Sequence, residues 1–206
     1  MISEDEILDW LSKHDTNYIL NEYMLNEHGE VDVVGEFRLA RSIESFPFAF
    51  NRISGSFECS SRGLKSLVNG PKLVTSSFYC NNNELDSLEG APTYVGGEFG
   101  CVNNKLTSLK YSPVTVGLGF YCSDNNLTHI DYYPSFNTTF AFMNNPLEKL
   151  PDELNDALLS KHTTRHPFEN SVTVIVKDVS YYMCNELYTK TLRQAKLKQI
   201  TDDLDY

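Results

Sequence analysis

The sequence predicts an α+β solenoid of about six coils. It is built on a parallel sheet of short strands, with an N-terminal helix-and-hairpin cap and a mostly helical C-terminal cap. Three observations carry this reading. Cys59, Cys80, Cys101 and Cys122 recur every 21 residues. Each sits in the same frame: Phe57-Cys59-Arg62-Leu64-Leu67, Phe78-Cys80-Asn83-Leu85-Leu88, Phe99-Cys101-Asn104-Leu106-Leu109 and Phe120-Cys122-Asn125-Leu127-Ile130. Each frame then closes on a proline segment: Asn69-Gly70-Pro71, Gly90-Ala91-Pro92, Ser112-Pro113 and Tyr133-Pro134. A fixed period in this range marks a unit that buries its apolar face only by stacking on copies of itself. The chain divides accordingly into an acidic cap (1–34), a solenoid (35–150) and a capping or partner-binding segment (151–206).

The N-terminal cap comes first. Ser3 and Glu6 are spaced as a capping box, and Ile7, Leu8, Trp10 and Leu11 follow at helical spacing. This predicts a short amphipathic helix over 3–14. Tyr18 to Leu25, a turn at Asn26–Gly29, and Val31 to Val34 read as a hairpin leading into the first coil. Together these seal the open end of the solenoid and cover a bare sheet edge, which accounts for the single tryptophan.

Within each coil, Phe-x-Cys places two side chains on the inner face of a short strand and the intervening residue outside. The turn that follows exposes backbone groups that need partners. Asn83, Asn104, Asn125 and Asn145 are positioned to supply them as an interior amide ladder, and Arg62 interrupts it, which predicts a more open first coil. The prolines favour turning backbone, so the far side is expected to be irregular, with Val74, Val95 and Val116 returning the chain to the core. Two outer units are less regular. Phe37-x-Leu39 with Ile43 and Phe46 opens the array, and Phe140-x-Phe142 with Asn145, Leu147 and Leu150 closes it, as terminal repeats do.

The frame resembles the leucine-rich repeat pattern L-x-x-L-x-L-x-x-N/C-x-L over roughly residues 35–150, with phenylalanine and cysteine in the second and third leucine positions. Gly55-Ser-Phe57-Glu-Cys59, Leu85-Asp-Ser-Leu-Glu-Gly-Ala-Pro92 and Gly97-Glu-Phe99-Gly-Cys101 resemble the short leucine-rich repeat proteins of tailed bacteriophages. That resemblance implies an accessory protein that binds and modulates or inhibits a host protein in the host cytoplasm. It carries over no catalytic residues.

The cysteines fall in one column, with equivalent residues about 4.8 Å apart. A line of thiols cannot close a tetrahedral zinc shell, and a bond between neighbours would distort the strands. They are expected to be small buried hydrophobes, which suits a reducing, cytoplasmic setting. No apolar signal segment follows Met1 and no stretch is long and apolar enough to span a membrane. Neither metal nor cofactor is expected.

Of the 28 acids and 17 bases, residues 1–36 hold ten acids against one base, while the solenoid is balanced. No basic stripe is present, which argues against a nucleic-acid partner. The acidic cap is read as a solubilising surface, or as one that engages a basic protein.

The default binding surface is the concave, outer side of the Phe-x-Cys sheet. Its candidate residues are Glu58, Tyr79, Asn81, Asn82, Asn103, Tyr121, Ser123 and Asp124, with a hollow at Gly100 between the two tyrosines. Tyrosine gives large contact area at low entropic cost. The expected function is a non-enzymatic protein-interaction module acting on a host protein. Two alternatives stand beside it: an assembly component acting by self-association, and a small enzyme using Cys184 with His162 or His166. In the C-terminal segment, a helix is expected from Pro151, a strand at Ser171 to Val176, and a helix from Tyr181 to about Leu204.

Overall fold

The computed structural model describes residues 2–130 and 132–148, and beyond them the backbone of three strands at 163–166, 171–176 and 179–184. One helix, α1 (Glu4–His14), precedes fifteen strands among the described residues. These are β1 (Glu22–Leu25), β2 (Val31–Val34), β3 (Phe37–Arg38), β4 (Phe50–Ile53), β5 (Phe57–Glu58), β6 (Leu73–Val74), β7 (Phe78–Tyr79) and β8 (Tyr94–Val95). They continue as β9 (Phe99–Gly100), β10 (Thr115–Val116), β11 (Gly119–Tyr121), β12 (Thr139–Ala141), β13 (Thr163–His166), β14 (Ser171–Val176) and β15 (Val179–Cys184). The chain is a β-solenoid of about five turns. The expected count of about six coils comes down to about five turns, because the six phenylalanine rungs enclose five intervals.

Two sheets form the walls. The nine-stranded sheet runs β13-β14-β15-β12-β11-β9-β7-β5-β3, and the six-stranded sheet runs β1-β2-β4-β6-β8-β10. The second sheet corrects the expectation of an irregular far side. At a constant period the return segments Leu73–Val74, Tyr94–Val95 and Thr115–Val116 arrive in register. Their backbone groups then satisfy one another in parallel pairs despite the nearby prolines.

The core is a ladder of rings. Phe37, Phe57, Phe78, Phe99, Phe120 and Phe140 pair in register across the nine-stranded sheet. Ring centroids from Phe57 through Phe120 lie 5.3–5.4 Å apart and within 14° of parallel. Burying each ring contributes about 1.5–3 kcal/mol, with roughly 0.5–1.5 kcal/mol more for each stacked pair. The four cysteines of the repeat are fully buried free thiols, as expected. Three of them donate across coils: Cys59 Sγ to the Tyr79 carbonyl, Cys80 Sγ to Gly100 and Cys101 Sγ to Tyr121, at 3.3–3.4 Å.

The amide ladder is also present. Asn104 accepts the Leu85 N–H at Oδ1, 3.1 Å away, and donates from Nδ2 to the Cys80 and Cys101 carbonyls at 3.0 and 3.1 Å. Asn83, Asn125 and Asn145 repeat the arrangement. Arg62 does not open the first coil. Its Nε donates to the Leu39 carbonyl and its own carbonyl accepts the Ile43 N–H, so the bonding continues by other atoms. Just outside each ladder residue, Ser61, Asn82, Asn103, Asp124 and Asn144 take a left-handed backbone with φ between 54° and 57°. Four of these five are Asn or Asp, the side chains that tolerate that region best.

At the N-terminal end, α1 carries the capping box of Ser3 and Glu6 and buries Ile7 and Leu11. Trp10 stacks on His14 at 4.1 Å and meets Phe48 edge-on. Asp15, 5% exposed, ties the cap together. Its Oδ1 accepts the N–H groups of Asn17 and Arg38, and its Oδ2 accepts Asn21 Nδ2 and the Tyr23 hydroxyl. The edge strand β3 is thereby closed: Thr16 N–H donates to the Arg38 carbonyl and Ala40 N–H to that of His14. The hairpin β1–β2 extends the other sheet through the parallel pair β2–β4.

At the other end, β15 lies parallel to β12, and β14 and β13 follow antiparallel. The strand at Ser171–Val176 is as expected. Residues 181–184 are strand and not helix, so a mostly helical C-terminal cap is not supported. Val179, Tyr181 and Tyr182 suit a pleated surface, and the open edge of β12 offers backbone partners that a helix would leave unpaired. The helices expected at Pro151 and over 185–204 lie outside the described residues.

Candidate functional site

Period-two alternation sets which side chains leave the nine-stranded sheet. Phe57, Phe78, Phe99 and Phe120 point inward, so the residues on either side of each point out. One outward column is Arg38, Glu58, Tyr79, Gly100, Tyr121 and Ala141; the other is Glu36, Ser56, Ser77, Glu98, Gly119 and Thr139. The candidates Glu58, Tyr79 and Tyr121 therefore share a face, as expected.

Tyr79 and Tyr121 converge on a residue that the sequence reading had passed over. The Tyr79 hydroxyl donates to Glu98 Oε2 at 2.7 Å and the Tyr121 hydroxyl to Oε1 at 3.2 Å. Glu98 was legible in principle, because the residue before each phenylalanine faces the same way as the residue after it. Burial pushes the Tyr79 phenol up from its ordinary value; the Ser77 contact opposes this and the Glu98 carboxylate adds to it.

Two glycines make the geometry possible. A Cβ on Gly119 would sit 2.6 Å from the Tyr121 hydroxyl and 2.8 Å from Cε2 and Cζ. A Cβ on Gly100 would sit 2.9 Å from Tyr79 Cδ1. Both rings thus lie along the sheet over bare backbone, and the expected hollow at Gly100 is occupied by the edge of Tyr79.

The remaining candidates are engaged in varying degrees. Asn81 Oδ1 accepts the Val102 N–H at 2.8 Å, and Ser123 Oγ, on a residue only 5% exposed, accepts the Met143 N–H at 3.0 Å. Both serve the joint between coils. Glu58 Oε1 accepts the Ser60 N–H at 2.7 Å. Asn82, Asn103 and Asp124 are exposed at the left-handed corner, where Asn103 Nδ2 donates to Asn82 Oδ1 and Asn144 Nδ2 to Asp124 Oδ1. The side chains of His162, His166 and Cys184 lie outside the described residues, although backbone register sets His166 opposite Ser171 and Ser171 opposite Cys184.

Among the described residues, no group of three or more His, Cys, Asp or Glu side chains is arranged to hold a metal ion. No helix there is long and apolar enough to cross a membrane. Burial pushes the repeat thiols well above their ordinary value, which makes them poor nucleophiles. The fold and this face define a repeat protein of the β-solenoid class. No protein-family model matches the chain, and neither does any curated protein or solved structure.

Proposed function

We propose that this protein is a non-enzymatic interaction module of the leucine-rich repeat kind, which binds a partner protein on the outer face of its nine-stranded sheet. The observation that carries the reading is the pair Tyr79 and Tyr121, held flat over Gly100 and Gly119 on a scaffold locked by the asparagine and phenylalanine ladders. Side chains fixed before binding lose little entropy on contact. The motif resemblance to tailed-phage repeat proteins extends the proposal to a phage accessory protein that modulates or inhibits a host protein in the host cytoplasm.

An affinity capture from bacterial lysate with mass spectrometry tests this, run beside a Tyr79→Ala, Tyr121→Ala double variant. One protein enriched by the wild type and lost by the variant supports the reading. Enrichment that survives in the variant moves binding to the acidic cap or the C-terminal segment. No enrichment, together with a concentration-dependent mass in light scattering, favours self-association instead.

A further inference from the structure

The geometry points to a cation-binding seat on this face: a guanidinium from an arginine of the partner protein, laid on Tyr79 and Tyr121 with its charge against Glu98. The inference rests on the reading of this face as the interaction surface and names the chemistry of what it receives.

Two independent observations support it. The first is the tile itself. Both phenol rings lie along the sheet, and both hydroxyls donate to one carboxylate, so Glu98 is fixed in place by two neutral donors and not by a cation. An aromatic ring attracts a cation through its quadrupole, and a planar guanidinium can stack on the ring while donating to a carboxylate.

The second is where this protein pairs its acids and where it does not. Elsewhere, three basic side chains of the solenoid reach carboxylates of another coil or of the N-terminal cap: Lys65 to Glu44, Lys105 to Glu84 and Lys72 to Glu30. On the outer face, no Lys, Arg or His among the described residues lies within 4.0 Å of the carboxylates of Glu58, Glu98 or Asp124. One ion pair does lie on this face, Arg38 with Glu36 at its N-terminal end; beyond it Glu58, Glu98 and Asp124 leave the face acidic, and the complementary partner is basic. A sugar could stack on the tyrosines and donate hydroxyls to Glu98, but only a cation also answers the net charge of Glu58, Glu98 and Asp124.

The test is an NMR titration of the full chain with a capped pentapeptide carrying one central arginine, run beside its citrulline counterpart, which has the same shape without the charge. Saturable shifts of the Gly100 and Gly119 amides are expected with arginine alone. They should weaken at least tenfold in Glu98→Gln and at high salt. The amide substitution is near isosteric, and an unchanged thermal melt would show that the variant folds. Equal shifts from the citrulline peptide, or no saturable shift from the arginine peptide, would overturn the inference. Repeating the lysate capture with Glu98→Gln separates this idea from the one beneath it. A partner lost in the tyrosine double variant but kept by Glu98→Gln sinks the cation seat alone. A partner kept by both sinks the outer face.

Discussion

Arg62 donates from Nε to the Leu39 carbonyl at 2.6 Å, the same service that Asn83 Nδ2 performs for the Cys59 carbonyl one coil later. The side chain differs, yet the carbonyl behind each rung is still met. Arg62→Ala should cost about 1–3 kcal/mol, the penalty of an unmet buried acceptor, whereas Arg62→Lys should recover part of it. Urea unfolding midpoints at constant slope would show this, and an Arg62→Ala protein as stable as wild type would mean that water replaces the guanidinium.

The interior and exterior asparagines should part company on substitution. Asn104→Ala leaves the buried Leu85 N–H without its acceptor and takes one of two amide donors from each of the Cys80 and Cys101 carbonyls, which keep Asn83 and Asn125, with an expected loss of about 1–3 kcal/mol. Asn103→Gly, one residue earlier, removes only an exposed bond to Asn82 while suiting the left-handed backbone, and should change stability by less than about 1 kcal/mol. Equilibrium denaturation of the two variants side by side gives the comparison.

Burial raises the thiols of Cys59, Cys80, Cys101 and Cys122 above their ordinary value of 9.0. The folded state therefore holds protons that the unfolded chain releases. Stability from this source is full below about pH 8.5 and falls as the pH rises beyond it, with a limiting slope near 1.4 kcal/mol per pH unit for each thiol. Melting curves between pH 7 and 11 should fall steeply above pH 9. A Cys80→Ala, Cys101→Ala variant should show a shallower decline. In the native protein at pH 8, a thiol reagent should leave these four unmodified.

Asp15 should be the most sensitive acid among the described residues. Asp15→Ala would leave the Asn17 and Arg38 N–H groups without their acceptor and free the Tyr23 hydroxyl, while Asn21 Nδ2 would keep the Glu36 carbonyl, at a cost of about 2–4 kcal/mol. Proteolysis should then begin in the first 40 residues. Asp9→Ala, which loses only an exposed pair with Lys13, should be nearly neutral.

The legible part of the fold was the part that repeats. Phe78, Cys80, Asn83 and Leu85 each recur at one spacing, so strand, turn and core position followed from periodicity alone, and Ser3 with Glu6 announced the helix. The second sheet was hidden because its repeating rungs β6, β8 and β10 are only two residues long and stand beside prolines; their pairing comes from the stacking of whole coils and not from local propensity. The strand at Val179–Cys184 was hidden because its residues fit either a helix face or a sheet, and the edge of β12 decides between them. At the candidate site, Tyr79 and Tyr121 were visible as an aromatic interruption in a polar column. Glu98 was not, because its role depends on Tyr121 folding back over Gly119 of its own strand and on Tyr79 leaning over Gly100 of the next coil.

Each ladder asparagine fastens two successive coils, so the molecule works like a ruler with identical graduations. Removing or adding one whole 21-residue graduation, for instance 79–99, would leave every phenylalanine facing a phenylalanine and every amide facing its carbonyls. The face would shorten or lengthen by about 4.8 Å with each step. A lineage carrying this chain can thus alter the length of its outer face by slippage of a single repeat, without inventing a new core.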